Sequence, residues 1–156
     1  MSIAARVQAC LSDAGIQYDI IEHPRTSNST HTAEAAHVPG ARLAKSVVLE
    51  DGEKYLMAVV PATQSVDIGA LYQRFGREIG LASEEQIAQL FADCEPGAVP
   101  PLGQVYGIET ILDEAFVDAE DVYFEGGDHR ALVHVNGSDF LKLMRDAPRA
   151  RIGLPH

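Results

Sequence analysis

Apolar residues open the chain at helical spacing: Ile3, Val7, Cys10 and Leu11 share one face, and Gly15 supplies a stop. The period then shortens. Gln17 to Glu22 reads as a strand closed by His23-Pro24, and Pro24 to Thr30 as a polar loop. Thr32 is placed to cap a short helix from Ala33 to His37, ended by Pro39-Gly40. Ser46 to Leu49 and Tyr55 to Val60 are apolar, β-branched runs, and Asp51-Gly52 between them predicts a hairpin. Ile68, Leu71, Tyr72 and Phe75 line one face of a helix predicted over Asp67 to Phe75. Glu78 to Leu81 predicts a short strand, and Ser83 with Gln86 forms a capping-box pattern for the next helix. After a Pro/Gly loop, Glu95 to Gly103, strands are expected over Tyr106 to Leu112, Val122 to Glu125 and Arg130 to Val135. Gly126 to Asp128 turns the chain between the last two. Asn136 or Ser138 starts a last helix through Met144, and the Arg-rich tail after Pro148 is expected to be loosely held.

Helices and strands alternate without a regular strand–helix–strand period, and two connections read as hairpins. The fold class that follows is α+β: a mixed, mostly antiparallel sheet flanked by helices. With 156 residues, 46% of them hydrophobic, the chain is expected to form one domain over 1–156. A net charge of -11 argues against broad coating of nucleic acid, because phosphate contacts need clustered Lys and Arg. Two cysteines are too few for a disulfide framework, no run approaches a membrane span, and the N-terminus shows no signal-peptide pattern. A cytoplasmic location is the simplest expectation.

No Ser-His-Asp pattern, Cys-x-x-Cys pair or Walker loop is evident. His23, His31 and His37 are close in sequence but match no zinc-ligand spacing, so neither metal nor other cofactor is expected. Cys94 has no base paired with it in the sequence, and Cys10 falls on the apolar helix face. What remains is a spaced set: Lys45 before an apolar strand, the loop Gly97-Ala-Val-Pro-Pro-Leu-Gly103, and the turn Gly126-Gly127 followed by Asp128 and His129. Each piece has an ordinary reading. Lysines at strand mouths are usually solvated, Pro/Gly loops are connectors, and a glycine pair makes a hairpin turn.

The order of these pieces, with Thr32-Ala-Glu-Ala-Ala36 and Ala44-Lys45-Ser-Val-Val-Leu49, resembles the YbaK/ProX family of prolyl-tRNA-synthetase-associated editing domains. The resemblance runs from about the first helix to the last. It implies a mixed sheet with flanking helices and an aminoacyl-tRNA deacylase that hydrolyses mischarged tRNA. The tRNA acceptor end with its amino acid is the implied partner, and an aminoacyl-tRNA synthetase a second one. Lys45 is implied to bind the terminal nucleotide, and amides around Gly97, Gly126 and Gly127 to hold the oxyanion. Substrate contacts extend to Thr32, Ser46, Pro101, Gly103 and His129. Water is the implied nucleophile, helped by the substrate's own ribose hydroxyl. His134 is the weaker candidate for the family's histidine. Pro100 and Ser46 depart from relatives that carry a small polar residue and Asn there, which touches loop chemistry and amino-acid preference. Two other readings stay open: a non-catalytic module binding a nucleotide, a tRNA end or a partner protein, and a deacylase of another acyl ester.

Overall fold

A computed structural model describes residues 3–26, 29–95 and 97–155. Its helices are α1 (Ala5–Asp13), α2 (Ser29–Ala36), α3 (Ile68–Phe75), α4 (Glu84–Leu90) and α5 (Gly137–Leu143). Its strands are β1 (Asp19–Glu22), β2 (Leu43–Asp51), β3 (Lys54–Pro61), β4 (Gln64–Val66), β5 (Gly80–Leu81), β6 (Glu109–Asp113), β7 (Asp121–Glu125), β8 (Ala131–Asn136), β9 (Arg149–Ala150) and β10 (Gly153–Pro155). The main sheet has eight strands in the order β1-β8-β7-β2-β3-β6-β9, with β5 on β2, and β10 pairs with β4 in a two-stranded sheet. Five of the eight strand pairs are antiparallel; β2–β7, β3–β6 and β6–β9 are parallel. This is the mixed α+β sheet that the patterning predicts.

Three helices are capped by side chains at the starts the sequence predicts. Asp67 caps α3, Ser83 and Gln86 close a full capping box on α4, and Asn136 caps α5. Strand alternation then sorts side chains onto two faces. On one, Val48, Met57, Val59, Leu112 and Phe124 meet Val7 and Leu11 of α1, Phe91 beyond α4, and Phe140 and Leu143 of α5, in the largest buried cluster. The other face carries two smaller cores. One joins Leu43, Ala62 and Leu132 to Ala33 of α2, and the other joins Leu49, Leu56, Val60 and Ile111 to Leu71 of α3. Lys45 lies between Leu43 and Leu49 on that same alternation, hence in the gap between the two cores.

Several expectations need correction. The tail is not loose: β9 pairs with β6 and β10 with β4, Ile152 is 1% exposed, and the buried carboxylate of Asp113 accepts from Ile152 N–H (2.9 Å) and Gly153 N–H (3.0 Å). Three-residue strands such as β4 and β10 are too short to leave a periodic signal. Helix α2 starts at Ser29, so Thr32 lies inside it instead of capping it; residues 27 and 28 of the predicted loop are outside the described residues, as is residue 96 of the Pro/Gly loop. The stretch predicted as a strand from Tyr106 begins as a 3-10 turn over Gly103–Tyr106, and β6 starts only at Glu109. The strand predicted from Val122 starts one residue earlier, at Asp121, which pairs with Arg42 and His134. Lys45 is the third residue of β2, opposite Val60, and not at the strand's mouth.

Candidate active site

The parallel ladder between β2 and β7 is two pairs long, Leu43–Tyr123 and Ala44–Phe124. Beyond it the strands part. β7 ends at Glu125 and turns through Gly126 to Arg130, while β2 continues to its next partner, β5, at Leu49 and Glu50. The Pro/Gly loop occupies this opening. The Ser46 hydroxyl donates to the Val99 carbonyl, and Ala98, Val99, Pro100 and Pro101 are buried against the core. A small hydroxyl after the lysine therefore anchors the loop.

Lys45 points to the opposite face from Ser46, half-buried, and its ammonium donates to the Gln64 carbonyl at 2.5 Å. Burial pushes its pKa down. The loop and the glycine turn meet above the end of β7. Gly97 adopts φ +83°, and a Cβ added there would stand 3.0 Å from Cε1 of His129. His129 is buried (5% exposed) and itself left-handed at φ 61°. Such a backbone state in a non-glycine residue costs of order 1 kcal/mol and marks a position held by its surroundings. Gly127 (φ +120°) accepts at its carbonyl from Glu95 N–H at 2.7 Å, and an added Cβ would lie 3.4 Å from Cys94 Sγ. The Glu95 carboxylate also meets Arg25 at 2.6 Å, which fastens the loop to the segment after β1.

The two remaining glycines are engaged structurally. Gly126 donates to Ala131 O (3.3 Å) and accepts from Ala4 N–H (2.8 Å), and an added Cβ would overlap Ile3. Gly103 is buried, accepts from Ile108 N–H (2.9 Å), and would strike Thr110 and the Ile108 carbonyl if it carried a side chain. Both are tight because neighbouring chain lies against them.

His134 does not join this group. Its ring stacks on Tyr123 (centroids 4.5 Å apart), Nε2 bonds Asp121 (3.0 Å) and Nδ1 faces Asp19 (3.3 Å), tying β1, β7 and β8 together. The hydrogen bond from His134, with Arg42 close by, holds the Asp121 carboxyl below the usual range. Cys94 sits beside Gly127 but is not an activated thiol: burial pushes its pKa up to about 11. Its neighbour Tyr106 is raised by burial as well and donates to Asp93. Among the described residues no group of three or more His, Cys, Asp or Glu is arranged to hold a metal, and no helix is long and apolar enough to cross a membrane.

Sequence reasoning missed Glu125. It closes β7 immediately before the glycine pair, is buried (6% exposed), and bonds the fully buried Thr32 of α2; the Thr32 hydroxyl is also 2.5 Å from that of Thr26. Its other oxygen, Oε2, has no hydrogen-bond partner. Burial raises its pKa to about 7. The signal was present in the alternation Tyr123, Glu125, which puts a carboxylate on an inward face.

Solved structures share this architecture. A proposed trans-editing enzyme for prolyl-tRNA synthetase superposes with TM-score 0.82 at 25% identity, over 96% of this chain and 95% of its own. A scaffold protein from computational epitope grafting gives TM-score 0.82 at 23% identity, over 97% and 96%. A proposed signal transduction protein from Marinobacter aquaeolei VT8 gives TM-score 0.77 at 21% identity, over 96% of this chain but 30% of the other. No curated protein matches the chain significantly. Residues 23–143 match the sequence model of the aminoacyl-tRNA editing domain, and the chain belongs to that family.

Proposed function

We propose that the protein hydrolyses the ester joining an incorrect amino acid to the 3′ end of a tRNA. The observation that carries this reading is the opening between β2 and β7 in a member of the editing-domain family: Lys45 stands on one side and a stiff, glycine-bearing loop on the other. Water is the nucleophile. A compact ammonium suits a phosphate or ribose oxygen, so Lys45 holds the terminal nucleotide. Amides at Gly97 and Gly127 face the ester carbonyl and stabilise the charge that develops on its oxygen. Gly97 also supports the His129 ring, which lines the substrate. Ser46, Pro101, Gly103 and Gly126 set the shape of loop and turn, and Thr32 acts through Glu125. The substrate's ribose hydroxyl assists water.

A panel of mischarged tRNAs tests the reading. Wild-type protein should deacylate at least one, and a folded Lys45→Ala variant should lose at least tenfold in kcat/KM. Near-wild-type turnover by that variant would remove Lys45 from the site. A protein that turns over none of the panel, yet loses affinity for a tRNA end on the same substitution, would be a binding module.

A further inference from the structure

We propose that Glu125 is the receptor for the α-ammonium group of the esterified amino acid, its free Oε2 accepting a hydrogen bond from that ammonium.

Placement comes first. The β2–β7 register sets Leu43 beside Tyr123 and Ala44 beside Phe124, so Lys45 and Glu125 are the next residues on each strand. Strand alternation puts them on the same face, where Leu43 and Tyr123 pack in the core beneath α2. They flank the point where the strands part, on adjacent strands about 5 Å apart at the last pair. No ion pair joins them. Burial alone lowers the Lys45 pKa, and Thr32 and Asp128 are the groups that act on Glu125 besides burial. The two side chains are therefore neighbours across the end of the ladder that do not neutralise each other.

The carboxylate's own partners come next. One Glu125 oxygen is held by Thr32, whose hydroxyl is itself tied to Thr26, so the side chain is fixed from α2. Oε2 is shielded from water and has no donor. A buried acceptor left this way costs about 1–3 kcal/mol, more when charged, and calls for an explanation. Arg25 and Arg42, cations on neighbouring segments, are engaged by Glu95 and Asp121. A ligand bringing its own cation satisfies Oε2 inside a low-dielectric site, where such a pair is strongest.

The ligand class follows from the proposed function, on which this inference rests. An aminoacyl ester carries an α-ammonium two bonds from the ester carbonyl carbon. A terminal nucleotide held at Lys45, with its ester under the Gly97 loop, directs that ammonium towards the end of β7. Selection for a free α-amine would then separate aminoacyl-tRNA from peptidyl-tRNA, whose nitrogen is acylated and uncharged.

The test uses two non-hydrolysable probes at pH 7.5: 3′-aminoacylamino-3′-deoxyadenosine and its N-acetyl derivative. Calorimetric titration of wild-type protein should show the free-amine probe binding at least tenfold more tightly. Glu125→Gln should bring that ratio close to one while changing N-acetyl affinity less than twofold; Glu125→Asp should keep part of it. A purely structural role would weaken both probes equally and leave the ratio intact. Equal affinity of wild-type protein for the two probes, binding of neither, or an unchanged ratio in the Gln variant would overturn the assignment. Amine-dependent binding without turnover of any mischarged tRNA would leave Glu125 in place and remove the hydrolase reading.

Discussion

Glu125 makes a thermodynamic prediction that needs no substrate. Burial, reinforced by the nearby Asp128 carboxylate and only partly offset by the Thr32 hydrogen bond, raises its pKa from 4.5 to about 7. The folded protein thus binds this proton more tightly than the unfolded chain does. The carboxyl carries no penalty below about pH 4.5. The penalty grows as pH rises from there to about 7 and is fully present above it. At about 1.4 kcal/mol per tenfold change in proton affinity, the full effect is about 3 kcal/mol. Glu125→Gln keeps the shape and an acceptor for Thr32 but cannot ionise. It should match wild type at pH 4.5 and exceed it by about 2–3 kcal/mol at pH 8, roughly 4–12 °C in Tm for a chain of this size. Paired urea or thermal unfolding across that range measures it, and the comparison cancels the titration of every other group. A difference between the proteins that stays flat with pH, or a Gln variant that loses stability at pH 8, would refute the reasoning.

The remaining expectations concern the loop, the tail and the surface. Gly97→Ala should cost about 1–2 kcal/mol for the left-handed backbone alone and more for the approach to His129, so it should cost less in a His129→Ala background; additive values in the double-mutant cycle would mean that loop and ring are uncoupled. Asp113→Ala removes the acceptor of Ile152, Gly153 and Ala115 N–H groups and should cost about 3 kcal/mol or more while exposing the tail to trypsin at Arg151; unchanged stability and cleavage would show that the tail is held otherwise. With a net charge of -11, few phosphates can be neutralised, so log affinity for tRNA against log salt should have a slope shallower than about -4. A steeper slope would reveal a basic surface.

The helices and long strands were legible because their signals are local. Asp51-Gly52 fixes a hairpin, Ser83 and Gln86 cap a helix, and the apolar run Tyr55 to Val60 can only be a buried strand. The tail was illegible because its order comes from outside it. Arg149 to Pro155 contains little apolar pattern, and what holds it is Asp113, some 39 residues earlier, with β4 and β6. The site divides in the same way. Lys45 and the glycines stand out in the sequence by residue type and order. That Ser46 and Lys45 serve opposite faces depends on strand alternation and on where the Val99 carbonyl lies, so one residue anchors the loop while its neighbour reaches the Gln64 carbonyl on the other face.

The structural cost at this site is concentrated where the sheet opens. His129 holds a left-handed backbone, Gly97 admits no side chain, and Glu125 keeps a carboxylate oxygen buried without a donor. His129→Gly and Glu125→Gln would relieve two of these, whereas position 97 tolerates its backbone only as glycine; none contributes to the main core, which is built from Val, Leu and Phe on the other face of the sheet. Unrelieved cost at two positions beside a glycine that must stay glycine, all within reach of one turn, is the distribution expected where an arrangement is kept for what it binds and not for what it stabilises. The same logic separates Gly126 and Gly103 from Gly97. Neighbouring chain closes on the first two, so their lack of a side chain is explained by packing alone. At Gly97 the close neighbour is the ring of a titratable residue in the candidate site.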